Sequence, residues 1–120
     1  MFARPIPVLR VRSSTQAEAF YCGELGFRQD FAMRIDEPRP DPCYMGIQRD
    51  EARLHLSSFP GDGAFGGIVF FPVRDLDVLR EELRSAHVPV DLEPTEQTWG
   101  NREMYVRDPD GNSLRFVQIR

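Results

Sequence analysis

Apolar positions along this 120-residue chain alternate, then recur at helical spacing, then alternate again, and the whole order runs twice. Residues 6–11 open as an apolar strand. Ser13 with Gln16, and Thr15 with Glu18, have the spacing at which a side-chain oxygen caps a free N–H at a helix start. Ala17, Phe20, Tyr21 and Leu25 then recur along one helical face, and Gly26 ends the helix. Strands are expected over 27–33, 43–48 and 52–59, with a Pro-rich loop at 37–42 and a turn at 49–51.

The second half repeats this order. Gly66 and Gly67 lead into a strand over 68–73, and Asp75 starts a helix carrying Leu76, Leu79, Leu83 and Ala86 on one face. A strand is expected over 88–92 and another over 102–107, after Trp99 and Gly100. Asp108-Pro109-Asp110-Gly111-Asn112 is a strong turn signal, and 113–119 closes the chain as a strand. Val11 and Val73 end the two first strands at an offset of 62 (73 − 11). Leu54-His55-Leu56 matches Leu114-Arg115-Phe116 at an offset of 60 (115 − 55). The expected fold is therefore α+β: one domain over 1–120, built of tandem βαβββ modules near 1–60 and 66–120. These would form a curved mixed sheet with a cleft on one face and helices on the outer face.

Strand side chains alternate between faces. Leu9, Val11, Leu54, Leu56, Val69, Phe71, Leu114 and Phe116 are the expected core under the helices. The opposite set, including Ile6, Val8, Arg10, His55, Ser57, Ile68, Phe70 and Arg115, mixes apolar and polar groups as a cleft lining does. Ile6, Ile68 and Phe70 make full solvation of that face unfavourable, so a pocket or partner surface is expected to cover part of it.

Composition adjusts this picture only slightly. At 41% hydrophobic and 28% charged the chain reads as globular, and a net charge of −4 without a Lys/Arg cluster argues against nucleic acid. No apolar stretch approaches the roughly 18 residues of a membrane span. The N-terminus lacks the apolar block of a signal peptide. Cys22 and Cys43 show no metal-ligand spacing and read as reduced thiols of a cytoplasmic protein.

Three segments carry a resemblance: Phe20-Tyr21-Cys22-Gly23-Glu24-Leu25-Gly26-Phe27, Leu54-His55-Leu56-Ser57, and the run from Trp99 through Asn112. Together they resemble the bleomycin-resistance proteins of the glyoxalase/dioxygenase, or vicinal oxygen chelate, superfamily, across nearly the whole chain. FYxxLGF and DPDGN are superfamily-wide and specify the fold; Trp99-Gly100-Asn101-Arg102-Glu103 is narrower and pulls toward the bleomycin-resistance branch. The resemblance implies a homodimer in which the N-terminal strand, Arg4 to Leu9, crosses to the other subunit, with ligand clefts between subunits.

Metal-dependent members of that superfamily place His, Gln or Glu at four cleft positions, which here are Ile6, His55, Ile68 and Arg115. Two of these have no donor atom and Arg115 is a permanent cation, so no metal, cofactor or catalytic residue is expected. His55 is then either a hydrogen-bonded strand histidine or a ligand contact that titrates near neutral pH. By resemblance Trp99 lines the cleft and stacks on a flat heteroaromatic ring, against the alternative of a packing role. Phe31, Tyr44, Phe59, Phe65 and Phe70 are further aromatic candidates, some of which must be core. Arg102 and Glu103 form either a structural ion pair or, through Glu103, an acceptor for a cationic or amide-rich ligand. Ser57 and Asp62 belong to a Gly-rich connection over the cleft, and Asp62 could meet a basic group.

The leading expectation is a metal-free homodimer that sequesters a bulky aromatic antibiotic of the bleomycin type, with acidic contacts for its cationic groups, without chemistry. A metal-dependent lyase or dioxygenase of the same superfamily and a non-catalytic protein-interaction domain are the alternatives.

Overall fold

The computed structural model describes residues 1–119. In the first unit β1 (Val8–Arg10) leads to a helix that is α-helical over α1 (Ser14–Glu18) and continues as a π-helix over Ala19–Glu24. Strands β2 (Arg28–Arg34), β3 (Cys43–Arg49) and β4 (Ala52–Ser57) follow. The second unit repeats the order with β5 (Ile68–Pro72), α2 (Leu76–Ser85), β6 (Leu92–Glu96), β7 (Arg102–Arg107) and β8 (Ser113–Gln118). Instead of one continuous curved sheet there are two four-stranded mixed sheets, ordered β1-β4-β3-β2 and β5-β8-β7-β6. In each, the first strand runs parallel to the last.

Register reproduces the expected offsets. Val8 opposes His55 and Phe70 opposes Arg115, so the pairs repeat at 62 (70 − 8) and 60 (115 − 55). All eight expected core residues are buried, joined by Met45, Ile47, Met104 and Val106 from the same faces of β3 and β7. Ser13 and Asp75 cap the helices, accepting the N–H of Gln16 and Val78.

One expected strand moves. The segment 88–92 was expected to be extended, yet β6 begins only at Leu92. His87 adopts φ 58°, and the N–H groups of His87 and Val88 bond back to the carbonyls of Arg84 and Leu83. That is a Schellman closure, in which Val88, the apolar residue after the helix, is buried in the same core cluster as Leu83. Its apolarity serves the cap and not a strand.

The units dock through buried polar groups. Asp108 accepts the Tyr21 hydroxyl at 2.7 Å, and Asn112 donates to Asp108 and to the Arg10 carbonyl while accepting from the Gly67 N–H. Phe27 meets Phe71 edge-on beside this junction. Burial first, then the Asp108 charge and hydrogen bond, pushes the Tyr21 phenol far above its usual range. Burial, first of the causes, also raises Tyr44, Cys22 and Cys43, and a hydrogen bond to Glu103 raises Tyr105.

The sign of the resulting pH dependence follows. These groups are neutral when protonated and hold their protons longer in the folded chain. Their contribution is complete below the unfolded values, near 9 for thiols and 10 for phenols, and is lost as pH rises above them. Stability in urea should therefore fall between about pH 9 and 11, and Tyr21→Phe should flatten that fall. An unchanged alkaline slope in the variant would remove Tyr21 from the account.

Candidate functional site

Each sheet packs one face on its helix and leaves the other open. Register fixes which side chains share the open faces. In the first unit Gly46 opposes both His55 and Phe31, and Tyr44 opposes both Ser57 and Met33. A Cβ at Gly46 would stand 2.3 Å from Phe31 Cε1, so glycine is what lets the Phe31 ring lie across β3. Phe31 stacks with Tyr44 at 6.3 Å between centroids and meets His55 edge-on at 5.4 Å. The Tyr44 hydroxyl lies 2.8 Å from His55 Nδ1. When that hydroxyl donates, His55 is left with an Nε2–H to offer elsewhere.

Ser57 is buried; its hydroxyl donates to Asp62 Oδ2 at 2.7 Å and accepts the Phe59 N–H. These bonds tie the Gly-rich connection back onto β4. Phe59 is half-buried at its start. Phe65 follows beside two guanidiniums, with the carbons of Arg12 and Arg10 at 4.0 and 4.9 Å from its ring centre. A cation over an aromatic face is favourable, so Phe65 anchors the connection to the end of β1.

In the second unit Arg115 of β8 stands between its cross-strand partners Phe70 and Tyr105. Its guanidinium carbon lies 4.7 Å from the Tyr105 ring centre. Glu103 is only 4% exposed and accepts two short bonds, from Trp99 Nε1 and from the Tyr105 hydroxyl, each 2.6 Å. Trp99 itself is 63% exposed. A buried carboxylate thus holds an exposed indole in place.

Arg102 does not join this group. It alternates with Glu103 onto the helix side, where it pairs with Asp77 of α2 at 2.8 Å and with Glu96 at 3.6 Å. The Arg102–Glu103 ion pair considered from sequence is absent from these contacts, because neighbours on a strand point to opposite faces. Tyr105, which was not among the expected ligand contacts, joins this group. Its alternation with Glu103 and its register with Arg115 were the available signal.

The donor set does not suit a catalytic metal. Among the described residues no three His, Cys, Asp or Glu side chains converge. The cross-strand neighbours of His55 and Arg115 on the first strands are Val8 and Phe70, two residues along the same face from Ile6 and Ile68. None of these four apolar residues can ligate, and His55 supplies one nitrogen where about three protein ligands are needed.

A groove of about 550 Å³ lies elsewhere, on the helix side between the units, lined by Leu25, Phe27, Phe71, Val78, Leu79 and Phe116 among others. No expected ligand contact lines it. Two of the charges there, Arg49 and Glu82, already pair with each other through two short bonds. The open faces carry the better-organised chemistry.

Comparison with known proteins now decides the family. The model of the glyoxalase superfamily protein family matches residues 1–120. The chain belongs to the glyoxalase superfamily. No curated protein sequence matches it significantly. Among solved structures, this superfamily member is similar to a bleomycin resistance determinant encoded on transposon Tn5, at 25% identity, TM-score 0.79 and 99% of both chains. It is also similar to the bleomycin-binding protein of bleomycin-producing Streptomyces verticillus, complexed with copper(II)-bleomycin. There the identity is 28%, the TM-score 0.75, and coverage 100% of this chain and 98% of that one. A lactoylglutathione lyase from Agrobacterium tumefaciens shares the fold at 17% identity and TM-score 0.72, over 97% of this chain and 93% of that one. No helix among the described residues is long and apolar enough to cross a membrane.

Proposed function

We propose that two copies of this chain enclose a bulky aromatic molecule of the bleomycin type between their open sheet faces and hold it without chemistry. The observation that carries this reading is Trp99: a large indole left mostly in solvent, yet fixed by a 2.6 Å bond to a buried carboxylate. An aromatic surface held rigid before binding costs little to order on binding. Phe31 and Phe70 extend that surface, and His55, Asp62 and Arg115 supply polar contacts around it. The likeness to bleomycin-binding proteins supports the ligand class.

Surface area supports the second copy. The chain exposes 7341 Å², against about 6,600 Å² for a folded monomer of its mass. That excess is close to the roughly 800 Å² each partner buries in a standard interface. Val8, Phe31, Met33, Ile68 and Phe70 are large apolar side chains left exposed on the open faces. The arm before β1 suits exchange between subunits. Arg4 pairs with exposed Glu51 and the Pro7 carbonyl accepts from His55 N–H, while Met1 and Phe2 stand fully exposed. In this structure the arm follows its own β4; in the proposed dimer it lies along the partner's.

Titration of Trp99 fluorescence with metal-free and copper-loaded bleomycin, alongside sedimentation of the complex, tests the reading. A saturable change at one ligand per chain, with two chains per particle, is the expected result. Absence of binding by both fluorescence and calorimetry would remove bleomycin-type ligands from the site.

A further inference from the structure

The chain carries a net charge of −4, but its acids and bases are unevenly placed. Six arginines are half-buried. Five of them have an acceptor: Arg10 reaches the Gly63 carbonyl, Arg34 the Pro40 carbonyl, and Arg49, Arg80 and Arg102 pair with Glu82, Glu93 and Asp77. Arg115 is the sixth. Its Nε is buried without a partner, as is one guanidinium nitrogen each of Arg10, Arg80 and Arg102; what sets Arg115 apart among the described residues is that none of its nitrogens has an acceptor and no carboxylate lies within 4 Å. Glu103, an acid on the same face, already accepts from Trp99 and Tyr105.

A half-withdrawn guanidinium without an acceptor is unfavourable, because the lost hydration is not replaced. Tyr105 offsets part of that cost through its ring face and offers the guanidinium no acceptor. The five N–H groups of arginine form a planar fork that matches the oxygens of a carboxylate or sulfonate. On one side the cross-strand neighbour of Arg115 is Phe70, 52% exposed. On the other side Tyr105, Glu103 and Trp99 are linked in sequence by contacts that end at the exposed indole.

We propose that Arg115 is the anchor for an oxyanion on an aromatic ligand of this open face. The second unit then takes an aryl carboxylate or sulfonate, with its ring against Phe70 and Trp99. This rests on the open face being the ligand surface and adds the sign of charge that this half of it selects. Asp62, on the first unit, is left to a cationic group, so the complete cleft is bipolar and not simply acidic.

Three probes with one ring system test the charge: 2-naphthoate, 2-naphthylmethanol and 2-naphthylmethylammonium, titrated calorimetrically into the intact protein. Naphthoate should bind about tenfold or more tighter than the alcohol, as a charge-assisted fork implies, and the ammonium weakest. Arg115→Gln should erase the preference, and Arg115→Lys should retain part of it. Naphthoate binding no tighter than the alcohol on the unaltered protein overturns the proposal. That outcome also follows if an acid of the second copy already occupies Arg115. Because the comparison uses the unaltered chain, it stands even if a variant folds poorly. Bleomycin titrated into the same preparation separates the two claims. Bleomycin binding with no naphthoate preference overturns only the oxyanion anchor, and failure of bleomycin with naphthoate preferred overturns only the ligand class.

Discussion

Asp108→Ala should lose about 3–5 kcal/mol of unfolding free energy in urea, the largest stability effect expected of any single polar residue here. The carboxylate is 5% exposed and accepts four donors: the Tyr21 hydroxyl, the Asn112 side chain, and the N–H groups of Asp110 and Asn112. Each donor stranded in a buried site costs about 1–3 kcal/mol, and water entering the vacated space recovers part of the sum. Tyr21→Phe removes a single bond and should cost about 1 kcal/mol. Against a total of about 5–15 kcal/mol for a domain, the first variant sits near the edge of folding. Asp36→Ala, on an exposed loop, is the reference. If Asp108→Ala shifts the urea midpoint no more than Asp36→Ala does, the buried network is not what joins the units. The functional consequence is geometric. Tyr21 and the Arg10 carbonyl belong to the first unit, while Gly67 adjoins β5, so this network sets the angle between the two open faces.

Much of this was legible because side chains alternate along the strands, with register shifts only in β2 and β6. Each of the eight residues assigned to the core is buried, and Phe31, Tyr44, His55, Phe70, Glu103 and Arg115 fall on the open faces. The same rule, applied along β7, sets Glu103 opposite Met104 and puts Arg102 on the helix side. Other features were hidden for physical reasons. Val88 is apolar for its place after a helix end, and pattern alone cannot separate that from the first residue of a strand. His87 takes a left-handed φ that a composition-based reading assigns to glycine or asparagine. The widening of the first helix into a π-helix over Ala19–Glu24 leaves no mark in residue spacing that is short enough to detect. What covers the open faces was left in the sequence as either a pocket or a partner surface. With principal extents of 47 × 40 × 24 Å the chain is a slab of sheets and helices, so its open faces need something outside the chain to become a cleft. Alternation tells which residues share a face and says nothing of what covers it.

Trp99→Ala should weaken binding of a bleomycin-type ligand by about 30-fold or more, the scale at which a buried tryptophan contact acts as a hot spot. Calorimetry is the measurement, since the variant loses its only tryptophan. The partner variant is Glu103→Ala, which keeps the indole but releases it from its 2.6 Å bond. Re-immobilising one large side chain costs about 0.5–1.5 kcal/mol, so that variant should bind about 2- to 10-fold more weakly. It should also leave the half-buried Tyr105 hydroxyl without its acceptor and unfold at lower urea. The ordering of the two separates platform from support. If Glu103→Ala weakened binding as much as Trp99→Ala, the carboxylate itself would be touching the ligand. Were Trp99→Ala to bind as the unaltered chain does, the exposed indole would not be the stacking surface. An exposed aromatic residue is ordinarily a small liability that a chain tolerates singly. Here a carboxylate has been withdrawn from water to hold one still, at the cost of its own hydration. That expense is understandable if the orientation of the ring matters to something that arrives later.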